Sequence, residues 1–311
     1  MSLTSNKIRI GTRASKLALA QVAEVHLLLA PHLQNLEIEI VPITTSGDKI
    51  QDRNLSEIGG KGLFIKELEE ALVQKKIDIA IHSAKDVPPM LDDRTHLAAF
   101  TERLDARDCL ISKKYASLKK LPKGAVVGTS SPRRKAILLR LRPDLKIVNF
   151  RGNVDTRLGK IEAEEVDAAI LAVCGLERIG KDLKIREAIE EKIMLPSGGQ
   201  GSLAIQIRKS DKKIFDLLQK INHPDTQIEA ECERAFLQQL GASCATPVAV
   251  RATSDAGKLT LRTIILDYDG SQVFETNSKS KSDLEEAVKL GAEAAKKTKM
   301  EAGKLLAKIC K

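Results

Sequence analysis

Cys244 stands in GASCATPVAV, among small residues that leave a sulfur within reach, as a nucleophile or a point of covalent attachment requires. A plain core cysteine is the competing reading. Cys109, Cys174, Cys232 and Cys310 fall in apolar or helical patterns and read as structural. Asp86 lies in HSAKDVP, directly after an apolar run, beside Lys85 and ahead of the stiffening Pro88. A carboxylate there can act as a base, stabilise a developing cation, or simply form a turn. His82 reads as a satisfied structural histidine.

Arginine recurs in three similar settings: GTRAS at 11–15, GTSSPRR at 128–134 and RGNVDTR at 151–157. Each follows a strand pattern and opens a helical one. A helix N-terminus offers unpaired N–H groups and the positive end of the dipole. Arginine adds a planar fork suited to a carboxylate, and Ser15, Thr129, Ser130 and Ser131 add hydroxyl donors. Together these predict a cleft for a ligand with several carboxylates or phosphates. The pattern alone does not separate the two, and each turn taken singly is equally well a solvated surface arginine. GGKGLF at 59–64 is not a nucleotide loop, because Gly62 follows Lys61 where that motif needs Ser or Thr. A lid over 46–62 carrying Lys61, with Phe64 at its edge, competes there with an ordinary flexible loop.

The elements that must hold these residues are readable in outline. Strand 7–12, a helix begun by Ser15 and strand 36–44 form a βαβ unit, with Leu17, Gln21, Val25 and Leu28 near one helix face. Helix 64–75 and strand 77–82 follow. A second α/β segment has strands at 125–128, 146–150 and 167–173, with Ser131 then Pro132 as a helix start. SLAIQIR after LPSGGQG is expected to rejoin the first sheet. From about 224 a helix leads to Cys244. Strands at 247–252, 258–267 and 271–276 and a helix over 282–308 then suggest a small α+β unit.

The chain has 311 residues, enough for two or three domains. Its net charge is +9, which admits nucleic acid, an anionic membrane or an acidic ligand as partner. There is no Trp and only two Tyr, so base-stacking platforms are scarce, and no nucleic-acid motif is present. The odd count of widely spaced cysteines argues against a disulfide framework and a zinc site. The N-terminus MSLTSNKIRIGTR has no apolar signal core, and no long apolar run follows, so a cytoplasmic protein without membrane partners is expected.

The assembled blocks resemble the hydroxymethylbilane synthase (porphobilinogen deaminase) family. They run in order through IRIGTRASKLALAQ, TTSGD, GGKGLFIKELEEAL, DIAIHSAKDVP, RLDARDCL, VGTSSPRRKAILL, RGNVDTRL, AVCGLERIG, PSGGQGSLAIQIR, ERAFLQQL and GASCATPVA, spanning roughly residues 8–250. The resemblance implies a fold of two doubly wound, type II periplasmic-binding-protein-like α/β domains plus a small α+β domain with a three-stranded antiparallel sheet. The corresponding domains are 1–102 with 200–220, 103–199, and 221–311. It implies a dipyrromethane cofactor held by a thioether to Cys244, and Asp86 as the catalytic carboxylate. Lys85, Ser131, Arg133 and Arg134 then become cofactor ligands. Arg13, Ser15, Arg151, Arg157, Phe64 and Gln200 become substrate ligands, with Asp48 near the lid. The implied partners are porphobilinogen and the growing oligopyrrole, on a monomer that uses no metal.

The chemistry agrees with the arginine-rich turns, since each porphobilinogen ring carries two carboxylates. Its pyrrole nitrogen can expel ammonia from the aminomethyl group to leave a cationic azafulvene, which a nearby carboxylate stabilises. The chain departs from the family pattern at Ala242 and Ser243, where two glycines are common. It departs again at Cys174 for alanine, Ser202 for alanine and Gln206 for glutamate. Two rival functions are a non-catalytic bilobal binding protein for a polycarboxylate, which leaves Cys244 unused, and a nucleic-acid binder, whose affinity would fall steeply with salt.

Overall fold

A computed structural model describes residues 6–46 and 65–309. The expected lid segment beyond Ser46, with Asp48, Lys61 and Phe64, lies outside the described residues, as does Cys310. Strands β1 (Lys7–Thr12) and β2 (Glu37–Pro42) pair in parallel across helix α1 (Lys16–Leu29). Helix α2 (Lys66–Val73) leads to β3 (Ile79–Ser83), also parallel to β1. The first sheet is completed by β4 (Thr95–Phe100) and β10 (Leu203–Arg208), in the order β2-β1-β3-β10-β4. The return strand β10 is antiparallel to both neighbours, and all six of its residues are buried. Burial on both faces explains its unbroken apolar character.

The second sheet repeats this plan. Strands β5 (Asp108–Ile111), β6 (Val126–Gly128), β7 (Lys146–Val148), β8 (Ala168–Ala172) and β9 (Ile185–Ala188) lie in the order β7-β6-β8-β5-β9. Here β5 is the antiparallel strand. Helices α3 (Pro132–Leu141), α4 (Val154–Glu162) and α5 (Val173–Glu177) follow β6, β7 and β8. Two mixed sheets of this order are the arrangement expected of type II periplasmic-binding-protein-like domains. The chain passes between them twice, from β4 to β5 and from β9 to β10.

After α6 (Lys212–Gln219), helix α7 (Pro224–Leu240) opens the third unit. Its antiparallel sheet is β11 (Val248–Asp255), β12 (Lys258–Leu266) and β13 (Val273–Lys281). Helices α8 (Leu284–Glu301) and α9 (Gly303–Ile309) end the described chain. Phe236, Leu261 and Leu290 share this unit's core. Helices α7 and α8 approach so closely that a Cβ on Gly291 would lie 2.2 Å from the Cys232 carbonyl oxygen.

Three local expectations are corrected. The buried face of α1 is Ala18, Gln21, Val22, Val25 and Leu29, whereas Leu28 is 42% exposed. Apolar residues lie on both sides of this helix, so spacing alone does not choose the stripe that meets Ile8 and Ile10. The C-terminal helix is broken between α8 and α9 rather than continuous, where Gly303 follows Ala302. Strand β13 runs on to Lys281, because the polar alternation of its second half is that of a strand with one solvated face.

Candidate active site

The turns at the carboxyl ends of β1, β3, β6 and β7 carry the residues singled out above, as open α/β sheets place their ligand sites. Ser15 caps α1 through Ala18 N at 3.2 Å, and Ser131 caps α3 through Arg134 N at 3.4 Å. Asn153 caps α4 through Thr156 N at 2.8 Å. Three helix N-termini thus follow three strands, each with arginine in or beside the turn. Arg13, Ser15, Gln21, His82, Ser83 and Asp86 line one concavity of about 70 Å³, together with apolar Ile65, Leu68 and Ile81.

Asp86 sits in a single 3-10 turn, Ala84–Asp86, that ends β3, and its side chain is exposed. Its charge acts on Lys85, Arg157 and Cys244, which come from different elements. Burial lowers the Lys85 ammonium, with Asp86 partly restoring it. Lys85 Nζ donates to Gln200 Oε1 at 3.3 Å. Burial also lowers Arg157, to about 10, and the positive charges of Arg134 and Arg151 add to the effect. The Nε of Arg157 is buried with no hydrogen-bond partner among the described residues. This wall is therefore positive in excess of its local carboxylates.

Cys244 follows the end of α7 and is solvent-exposed, unlike the buried Cys109, Cys174 and Cys232. Nearby protein atoms still partly desolvate its thiol and raise it above the ordinary cysteine value, and the Asp86 carboxylate raises it further. Cys109 and Cys232 are pushed up to about 12, chiefly by burial, and are inert at neutral pH.

Arg133 and Arg134 are buried and turn inward. Arg133 Nη1 lies 2.7 Å from both Asp108 Oδ2 and the Leu195 carbonyl. Arg134 reaches Asp108 Oδ1 through Nη2 at 2.6 Å and the Ile170 carbonyl through Nη1 at 3.0 Å. Burial alone would raise the Asp108 carboxyl, but the two guanidinium charges outweigh it and hold it far below the usual range. Gln200 is buried beside them and donates to Asp108 Oδ1 at 2.9 Å and to the Ala106 carbonyl at 2.6 Å. Sequence reasoning missed Asp108 as the hub. Its signal was a carboxylate inside an apolar strand, which needs a cationic partner.

Among the described residues no group of three or more His, Cys, Asp and Glu is placed to hold a metal ion. No helix there is long and apolar enough to cross a membrane.

Solved structures similar over 70–71% of the chain include an ABC-transporter periplasmic substrate-binding protein from Coxiella burnetii, at 18% identity, 93% of that chain and TM-score 0.45. A nutrient-binding protein from Burkholderia cenocepacia bound to methionine matches at 19% identity, 93% of that chain and TM-score 0.44. In sequence, proteins described as porphobilinogen deaminase from Nitrobacter hamburgensis and Nitrobacter winogradskyi are each 46% identical over 297 residues. These alignments cover 94% of this chain and 93% of each relative. Residues 8–216 match the profile "Porphobilinogen deaminase, dipyromethane cofactor binding domain", and 227–300 match "Porphobilinogen deaminase, C-terminal domain". With both profiles in register along one polypeptide, the chain belongs to the porphobilinogen deaminase family.

Proposed function

We propose that this chain joins four porphobilinogen molecules, with loss of ammonia, onto a dipyrromethane primer carried by Cys244, and then releases hydroxymethylbilane by hydrolysis. The observation that carries the reading is that Cys244, alone among the described cysteines, exposes its thiol, in a chain whose residues 8–216 and 227–300 match the two porphobilinogen deaminase profiles. The residues present suit the primer. Cys244 is open for a thioether, and the buried Arg157 Nε has no hydrogen-bond partner among the described residues, beside the charges of Arg134 and Arg151. When bound, the dipyrromethane supplies the free pyrrole α-carbon that receives each new ring.

The chain's own side chains do the rest. Lys85 and Ser131 hold primer carboxylates, and Arg133 and Arg134, drawn inward by Asp108, act as cofactor ligands through their positive charge from behind. Arg13, Ser15, Arg151, Arg157, Phe64 and Gln200 bind incoming substrate. A well-formed charge-assisted contact contributes about 1.5–3 kcal/mol. Asp86 accepts from the pyrrole N–H of porphobilinogen and stabilises the positive charge that develops there as ammonia leaves. The residues 1–102 with 200–220, 103–199 and 221–311 act as three domains, a division supported by which strands share each sheet. We place the enzyme in the cytoplasm, as a monomer, without nucleic-acid or membrane partners.

Intact mass tests this reading. The purified protein should carry an adduct of dipyrromethane mass, and Cys244→Ser should fold, lack that adduct and release no ammonia from porphobilinogen. Asp86→Ala should keep the adduct and lose most turnover. A bare polypeptide mass in protein freshly made in an active host would favour the non-catalytic binding protein instead.

A further inference from the structure

Helix α7 grips the active-site framework at three places before the chain reaches Cys244. Glu233, fully buried, accepts from Gly199 N at 2.7 Å and Ala252 N at 2.9 Å, and pairs with Arg103 Nη2 at 3.1 Å. One turn earlier, Glu229 pairs with Arg103 Nε at 3.0 Å and Arg251 Nη1 at 2.8 Å, and accepts from Ser254 N at 3.0 Å. Arg103 belongs to the outgoing crossover between the two large sheets, and Gly199 to the returning one. Arg103 Nη1 also donates to the Gln200 carbonyl at 3.0 Å, tying the crossovers together. Arg234, the neighbour of Glu233, reaches the Val87 carbonyl at 3.5 Å and the Pro89 carbonyl at 3.3 Å, just beyond Asp86.

The far end of α7 is equally well secured. Gly241 ends it in the left-handed region at φ 77°, and Ala242 N returns to the Leu237 carbonyl at 3.1 Å. Ser243 N donates to Thr246 Oγ1 at 3.0 Å. Cys244 therefore stands on a short, internally bonded turn fixed to the helix that holds both crossovers and the exit of the Asp86 turn.

We propose that α7 is the element that registers Cys244 against Asp86, with Glu233 and Arg234 as positioning residues for chain extension. The proposal rests on the functional reading above. Pins at the crossovers lie where relative rotation of the two sheets moves the backbone least, so opening or closing of the cleft leaves the thiol in register with the carboxylate. A displacement of about 1 Å at a reacting centre can cost up to about a hundredfold in rate. Gln200 extends the same grip to Lys85 and Asp108.

The test uses cofactor-loaded protein, with loading checked by intact mass. Glu233→Gln and Arg234→Gln are compared with Asp78→Asn, which breaks the remote buried cluster of Arg9, Asp78 and Arg208. Hydrogen exchange is followed at 84–89 and 241–246, together with kcat, KM and the masses of enzyme carrying one to four added rings. Exchange about tenfold faster at both segments in the two α7 variants, with kcat about tenfold or more lower at little-changed KM, supports the proposal. So does recovery in Arg234→Lys, with Asp78→Asn losing only thermal stability. Wild-type exchange at 241–246 and wild-type kcat in folded, loaded Arg234→Gln overturn it, as does an equal effect in Asp78→Asn. If Glu233→Gln does not fold, Arg234→Gln decides. A wild-type protein that forms no ring adducts would refute the functional reading itself.

Discussion

His82 shows how a buried residue close to Asp86 can govern behaviour in acid. It lies four residues before Asp86 on β3 and lines the same concavity. Gln206 Nε2 donates to Glu69 Oε1 at 2.7 Å and Thr95 Oγ1 at 2.8 Å, so its carbonyl oxygen is the atom that faces His82 Nε2, at 3.0 Å. That arrangement puts the ring proton on Nε2. Burial lowers the imidazole to about 4; the Gln206 hydrogen bond opposes this and the Arg234 charge reinforces it. Above an unfolded value near 6.5 neither state binds the proton. Below it the unfolded chain does, and the folded chain refuses until about 4. Stability is therefore lost as pH falls through that window, by about 3 kcal/mol at roughly 1.4 kcal/mol per unit. His82→Gln should show a smaller drop in thermal midpoint between pH 7 and 4.5 than wild type. An identical drop would assign the acid sensitivity to other groups.

At the scale of elements, what was legible in the sequence is what is decided locally. The turns at Ser15, Ser131 and Asn153 announce themselves because a cap, a strand before it and a helix after it lie within a few residues. Strands β4, β5 and β9 had no such signature. They are four to six residues long, and their partners lie far away in the chain. The Arg103–Glu233 pair spans 130 positions, which no window of local pattern reaches. Gly199 joins the two kinds of information. The sequence marks 195–201 as a breaker cluster, but the need for glycine comes from tertiary contact. Its φ is +75°, and an added Cβ would lie 2.7 Å from Ala84 C and Lys85 N. Gly199→Ala should therefore push the returning crossover off the Lys85–Asp86 turn. The expected outcome is retained adduct with kcat about tenfold or more lower and a reduced thermal midpoint. Full activity would mean that the turn tolerates displacement.

Across the whole molecule the charge is unevenly placed. Residues 103–199 hold 21 Lys and Arg against 13 Asp and Glu, so eight of the nine net positive charges belong to the stretch that forms the second sheet and its helices. The sequence-level balance of +9 left nucleic acid, membrane and acidic ligand open. Its concentration around Arg157, whose guanidinium burial and the charges of Arg134 and Arg151 lower, favours the acidic ligand. A field of this kind raises the encounter rate of an anionic substrate and is screened by salt, with a Debye length of about 10 Å at 0.1 M and about 3 Å at 1 M. Each porphobilinogen brings two carboxylates, so every addition spends part of the excess. The expected result is that kcat/KM falls with ionic strength while kcat changes little, and that the first ring addition is more salt-sensitive than the fourth. Single-turnover mass ladders at several salt concentrations measure both. Equal salt dependence at all four additions would show that capture depends on contacts inside the cleft and not on the field of the second lobe.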